Sequence, residues 1–545
     1  MNKIAKICIS ILVILFYYWW QELLYHYITD KYFPQPKISQ SNIDVQLYDI
    51  DIKLFPTKKL ISSKVTIKFT REIDSKYLIL DFEDGFRIKS LKLNNNLIDY
   101  KYKDDALVVK VLSDIPDTSK IEITYSGYPS QAKMFGLIFG KEESNDFIYT
   151  IDEPSETRSW LPCHDSPSDK AFLDIRITND SQFVSVSNGN LIDSTQSKNR
   201  KTYHWKTVYP LTTYNISIYS SNYYTGKITD KNFRIQYFVP KDILSKARTD
   251  FQIVPELLKK NIHDFGNYPF PNEKVGFVVN LWNQGAIENQ SIIGIGKELV
   301  TGDNSNLSIL HHEIAHAWWG NSISVKSWKD IWLNEGFASY AEILFAKQYF
   351  QGSQNNFNKL LNYFNEVSYT SPLYNPNGFI FDRFIYEKSA RVMMMLSYEI
   401  GDSLFRDVIR KYHEYYKYGN SSTKEFKLFL EKYTNKNLDS FFNQWIYKGV
   451  GLPVIKYNYE IRKFNSSSSV FLKVDQTQND FKVYKLKLPV TFLGKPGTNS
   501  KSNKIISMDF QMNSRSLVIK QDFDFIVGKV ILNQGNKILA KIIRR

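Results

Sequence analysis

Five hundred and forty-five residues exceed what one ordinary hydrophobic core organises, so the chain is expected to divide into two to four domains. A composition of 43% hydrophobic, 15% aromatic and 23% charged residues excludes a disordered or collagen-like chain, and two cysteines, Cys8 and Cys163, exclude a disulfide scaffold. The formal charge of +14 comes from 70 Lys+Arg against 56 Asp+Glu spread through every region, with no dense basic cluster, so a solvated basic surface is expected and no nucleic-acid partner.

The chain opens on an apolar run. After Lys3 and Lys6 come Ile7 to Phe16, closed by Tyr17-Tyr18-Trp19-Trp20. With Ile4, Ala5 and the Leu23-Leu24 side included, the run approaches the ~20 residues that span a bilayer, with aromatic residues where an interfacial belt sits. Lysines on the near flank predict a cytoplasmic N-terminus and a single-pass anchor, residues 1–38, that exports everything after it. A cleaved signal segment, giving a secreted or periplasmic protein, is the alternative, although no small-x-small cleavage site follows the run.

From residue 39 to 240 the period is two. Ile43, Val45 and Leu47 alternate with Asp44, Gln46 and Tyr48, then Ile50, Ile52 and Leu54 with Asp49, Asp51 and Lys53, and turn-rich stretches such as Ser187-Asn188-Gly189-Asn190 punctuate the strands. Residues 241–451 read as mixed α/β. Helical patterns cover Ile243 to Phe265, Leu307 to Trp319, Trp332 to Phe350, Tyr386 to Ile400, Ser403 to Tyr415 and Thr423 to Tyr433, with a β piece near Val278-Val279. Alternation returns over 452–545, where Ile455, Tyr457, Tyr459 and Ile461 oppose Lys456, Asn458, Glu460 and Arg462. The expected architecture is multidomain α+β: anchor, N-terminal β domain, α/β domain, small C-terminal β-sandwich.

The strongest chemical signal is His312-Glu313-Ile314-Ala315-His316. Residues four apart on a helix share a face, so the two imidazoles can reach one metal ion, while Glu313 projects beside it and can take a proton from a water on the metal. Two histidines on zinc need a third protein ligand and an open position. Eighteen residues separate His316 from Glu335, in Trp332-Leu333-Asn334-Glu335-Gly336-Phe337-Ala338, which opens a second helical pattern able to pack back against the first. His311 points about 100° away from His312 and reads as a bystander.

This ligand spacing resembles the M1 family of zinc aminopeptidases, gluzincins with a thermolysin-like catalytic domain. The likeness extends to other motifs. Gly285-Ala286-Ile287-Glu288-Asn289 resembles the family's GAMEN signature with Ile in place of Met. By that resemblance Glu288 holds the α-ammonium of a peptide, with Gly285, Ala286 and Asn289 in the substrate-binding segment. An ammonium entering a partly dry cleft needs such an anionic partner. Tyr386-Glu387-Lys388-Ser389-Ala390 resembles the YEKGA segment, which makes Tyr386 the hydrogen-bond donor to the oxyanion. Thr150-Ile151-Asp152-Glu153-Pro154 and Trp160 to Pro167 resemble the TQxEP and FPCxDxP region. There Glu153 is a second amine-binding carboxylate, and Ile151 replaces the glutamine that frames the first-residue pocket. Cys163, His164 and Asp165 belong to that stretch and are expected to be structural.

The resemblance implies one Zn²⁺ on His312, His316 and Glu335, Glu313 as general base, and peptides with a free N-terminus as substrates. Many members continue into an all-helical fourth domain. With Arg545 ending the small β-sandwich, a short form with a more open cleft is expected. Two alternatives remain: a related hydrolase of epoxide-hydrolase type on the same scaffold, and a membrane-anchored, catalytically idle peptide-binding relative. The second is disfavoured because every motif residue is present.

Overall fold

Strand alternation organises the first part of the chain, with one change of phase. In Ile43–Phe55, Ile43, Val45, Ile50, Ile52 and Leu54 are fully buried. The sequence pattern places Leu47 with them and Tyr48 opposite, but a bulge between Val45 and Leu47 leaves Leu47 half-buried and turns Tyr48 inward. One extra residue in a period-two element moves every later side chain to the other face. The Tyr48 hydroxyl then accepts the backbone N–H of His164 at 3.0 Å.

The computed structural model describes residues 36–71, 76–111, 116–131, 134–283, 285–349, 361, 371–479, 481, 483–495 and 504–545. The apolar run expected to anchor the chain lies outside them. Among the described residues no helix is long and apolar enough to cross a membrane. The chain forms two compact units, one running to Glu256 and resuming over Pro269–Glu313, the other made of Leu257–Tyr268 and Ile314–Arg545.

In the first unit, Ile43–Phe55 lies between Leu60–Arg71, antiparallel, and Lys170–Asp180, parallel, within a nine-stranded sheet. A four-stranded sheet, in the order Val184–Val186, Tyr219–Ser221, Asn145–Ile151, Gly136–Glu142, packs into the same core. A five-stranded sheet follows the order Tyr224–Thr229, Arg234–Val239, Val275–Asn280, Ile292–Gly296, Ala286–Ile287. Val275–Asn280 pairs in parallel on both sides and is buried along its whole length, which explains its unbroken apolar reading. The domain boundary expected at residue 240 therefore separates two adjacent strands of this one sheet. Alternation reports that a face is buried, not which sheet the strand joins. The helical stretch expected from Ile243 to Phe265 is two helices, Leu244–Phe251 and Val254–Phe265. Pro255, at the start of the second, has no N–H to bond backward and its ring blocks a continuous turn.

The second unit carries the helices Trp332–Tyr349, Arg383–Ile400, Asp402–Tyr416 and Thr423–Thr434. Ser422 and Glu425 close a reciprocal capping box on the last of these. A four-stranded sheet (Ser516–Phe523, Ser467–Gln476, Val454–Phe464, Lys541–Arg544) and a three-stranded one (Ile505–Met512, Leu486–Gly494, Val527–Leu532) follow. Val470, Leu472 and Val474 of the first sheet and Leu488, Val490 and Phe492 of the second are fully buried, as the inner faces of a sandwich must be. Arg391 joins the helices to this region by donating to the carbonyls of Asn536 and Ile538, 2.7 and 3.2 Å away.

Candidate active site

The helix that carries the histidines, Leu307–Ala315, is approached through a turn held by Asp250. Its carboxylate accepts the backbone N–H of Gly302 at 2.9 Å and of Asn304 at 3.0 Å. Leu310, Ile314 and Ala315 bury the apolar side of the helix. His312 and Glu313 lie within it. His316, expected inside a helix running to Trp319, is instead the first residue beyond it. The chain nevertheless keeps turning: the N–H groups of Trp318 and Trp319 both donate to the Ala315 carbonyl. His316 thus stays about one turn from His312. Its Nδ1 lies 2.9 Å from the Trp319 carbonyl, so Nδ1–H is the donor and the Nε2 lone pair is turned toward Glu335, whose Oε2 is 3.6 Å away.

Glu335 sits in the first turn of Trp332–Tyr349, and that turn is pinned from outside. The Trp332 indole N–H donates to Thr423 Oγ1 at 2.8 Å, and Asp330 accepts the Thr423 backbone N–H at 2.8 Å. Next to the glutamate, Gly336 lets a second helix come close: a Cβ there would stand 2.6 Å from the Ser389 Cβ. Tyr386 precedes Ser389 by three residues on Arg383–Ile400, hence on the same helix face, and is half-buried. Lys388, in the same segment, is fully buried and donates to the Gly449 carbonyl at 2.6 Å, and burial pushes its ammonium down to about 7.

His312, His316 and Glu335 each bring a ligand atom within 4.8 Å of the other two. Glu288, Glu313 and His316 are gathered as closely, and so are Glu153, Glu288 and Glu335. Four carboxylates and two imidazoles make up these three groups. All are buried except Glu153, which is partly so. Desolvated carboxylates at this density either take up protons or meet cations. Two imidazoles and one carboxylate are a donor set that suits a single zinc ion, and the remaining acids suit a second positive group of another kind.

Each acid is held by its own neighbours. Glu153 follows Asp152, which is fully buried and accepts the Trp160 indole N–H at 2.9 Å; burial raises the Asp152 carboxyl well above its usual range. The Trp160 to Pro167 stretch is structural in its bonding. Arg158 Nε lies 3.1 Å from Asp165 Oδ2, His164 Nδ1 lies 2.7 Å from the Ile43 carbonyl, and Cys163 and Asp81 exchange backbone hydrogen bonds. Ile151 is buried in the β core, and His311 is also buried. Glu288 follows the short strand Ala286–Ile287, which pairs with Ile292–Gly296 at the edge of the five-stranded sheet, and Gly285 O accepts the Gly296 N–H at 3.0 Å. Asn289 is almost fully buried, and its amide meets the Tyr219 hydroxyl at 2.6 Å and the Tyr214 carbonyl at 3.4 Å. Beside Glu313 lies a small, mostly apolar depression lined by Phe251, Ala286, Ile295, Leu299 and Leu310 among others. Asp250, Tyr219 and Thr423 were not legible as supports of the site, because each reaches it from a distant part of the chain.

Two family models match the chain: the peptidase M1 N-terminal domain over residues 45–215 and the peptidase family M1 domain over residues 251–445. A probable aminopeptidase of Sulfurisphaera tokodaii is 24% identical over 451 residues, 78% of this chain and 56% of its own. The leucyl aminopeptidase of Saccharolobus solfataricus is 22% identical over 83% of this chain and 59% of its own. This chain therefore spans less than two thirds of the length of these curated relatives. Among solved structures, a Deinococcus radiodurans M1 zinc metallopeptidase bound to a Tyr-Ser-Ala substrate superposes with a TM-score of 0.68 at 21% identity, covering 78% of this chain and 98% of that one. Legionella pneumophila aminopeptidase A in complex with aspartic acid gives 0.79 at 19% identity over 92% and 60%.

Proposed function

This chain belongs to peptidase family M1, and from that premise we propose that it is a zinc aminopeptidase that removes residues one at a time from the N-terminus of peptides. The observation that carries the proposal is the packing of Glu288 and Glu153 against the His312–His316–Glu335 set. His312, His316 and Glu335 would hold a zinc ion, whose chemistry there would be Lewis acidity toward a peptide carbonyl and water. The rest belongs to the side chains.

Glu288 and Glu153 accept hydrogen bonds from the α-ammonium of the substrate and so measure one residue from the chain end to the bond that breaks. Glu313 takes the proton of the attacking water on a carboxylate oxygen and returns one to the departing amine. The Tyr386 hydroxyl donates to the carbonyl oxygen as it gains charge. Ala286, at the sheet edge, lies alongside the extended peptide backbone.

The test compares peptides with free and acetylated N-termini. Cleavage of the free form alone, with single residues released, is expected, and equal cleavage of both would overturn the assignment. Attachment to a membrane through residues 4–24 is proposed from their apolar run and aromatic border. Recovery of the full chain in the supernatant after alkaline washing of membranes would refute it.

A further inference from the structure

Resting on the amine-binding role of Glu288, we infer that Asn188 and Tyr219 are positioning residues: they hold the segment after Glu288 at the one place where its carboxylate meets a substrate ammonium. Asn188 sits in the Ser187-Asn188-Gly189-Asn190 turn, whose sequence predicts only a break between strands. It is fully buried. Its Nδ2 donates to the carbonyls of Asn215 at 2.8 Å and Gln290 at 2.7 Å, and its Oδ1 accepts the backbone N–H of Ser217 at 2.8 Å and the Ser217 hydroxyl at 3.1 Å. Two donors and two acceptor sites are the whole capacity of an amide side chain, and here all are used on other segments. A surface turn needs none of that.

Each of the three residues after Glu288 is gripped. The Asn289 Oδ1 accepts the Tyr219 hydroxyl at 2.6 Å. Burial, with Glu288 and Glu313 among the nearby charges, raises that phenol well above its usual range, so it remains a donor. Gln290 is bound at both backbone groups: its N–H donates to the Asn215 Oδ1 at 2.8 Å and its carbonyl accepts from Asn188. The Ser291 Oγ accepts the Gly189 N–H at 2.7 Å, and Ser291 has φ 62°, a left-handed backbone that a residue with a Cβ adopts only when its surroundings impose it.

The gripping turn is itself rigid. Gly189 has φ 73°, and a Cβ there would stand 2.1 Å from the Lys206 carbonyl oxygen. The Lys274 ammonium donates to the carbonyls of Ser187 and Gly189, 2.6 and 2.8 Å away, while lying 4.6 Å above the Trp205 ring. A carboxylate that counts residues must not drift, because an error of about 1 Å in placing a reacting group costs on the order of a hundredfold. Asn188 and Tyr219 both act through Glu288.

The test is a pair of hydroxamates that differ only in an α-amino group, titrated calorimetrically into the zinc-loaded full chain in detergent. The amine-free compound reports the metal site, and the ratio of the two Kd values reports the ammonium site. Asn188→Ala is expected to lower that ratio about tenfold, and Tyr219→Phe about threefold, with amine-free binding and zinc content unchanged. A merely structural role would weaken both compounds equally, and that result would overturn the inference. Should Asn188→Ala fail to fold, Tyr219→Phe decides alone, since it removes one hydroxyl and keeps the ring: an unchanged ratio overturns the inference. Glu288→Ala is run beside them. A ratio unaffected by Glu288→Ala refutes the amine-binding reading itself, whereas a ratio that collapses in Glu288→Ala but holds in the other two refutes only the positioning.

Discussion

Two clusters of acids stand in this molecule, and they are built from different partners. In the β domain, Asp81 and Asp165 are almost completely buried around Arg158, whose guanidinium reaches Asp165 at 3.1 Å and Asp81 at 3.5 Å. Backbone N–H groups fill the remaining positions: Gln40 and Asp165 donate to Asp81, and Thr213 adds its hydroxyl to Asp165. The chain supplies one guanidinium and several neutral donors for these two acids. The other cluster gathers Glu153, Glu288, Glu313 and Glu335 with two imidazoles. In the proposed function a metal ion and a substrate ammonium complete it. The two clusters differ in what lies among the acids, a guanidinium in one and imidazoles in the other.

The comparison can be broken most sharply at Glu313. Glu313→Gln keeps the shape and the three metal ligands but removes the proton acceptor, so kcat should fall by about 10²–10⁴ while zinc content by atomic absorption and Tm stay level. Arg158→Met should do the reverse. Leaving two buried carboxylates without their cation costs about 3–5 kcal/mol, read as a shift of the urea midpoint, with kcat per folded molecule unchanged. Removing zinc by chelation should abolish turnover and lower Tm. Restoring the ion to a hundred times its Kd returns about 2.7 kcal/mol, measured by calorimetric scans across a zinc titration.

The smallest effect concerns a third buried charge, Lys388, which lies near about 7 instead of its usual ~10.4. A depressed lysine binds fewer protons folded than unfolded between those values. Its contribution is therefore complete only above pH ~10 and is lost as pH falls through about 7. The Tm of the wild type relative to Lys388→Met should rise steadily across that interval. A flat difference would show that the ammonium is compensated in place.

Much of the site was legible because its signals are local. His312 and His316 share a helix face by spacing alone, and the Trp332-Leu333-Asn334-Glu335 string marks the start of the next helix. The Gly285 to Asn289 and Tyr386 to Ala390 motifs are short enough to be recognised in one dimension. What escaped was whatever depends on partners far along the chain. The bulge that turns Tyr48 inward shows only as a slipped phase, and the Tyr224–Val239 hairpin joins a sheet whose other strands come more than thirty residues later. Asn188 looked like a turn residue, yet its amide serves carbonyls at positions 215 and 290.

By itself, the order of residues determined the kinds of elements and the family and pointed to His312, His316 and Glu335 as candidate ligands, since periodicity and motif spacing are properties of neighbours. Tertiary structure alone decided where Glu288 stands. The residues that follow it are held by hydrogen bonds to segments that only folding brings beside them, and burial makes those bonds obligatory rather than optional.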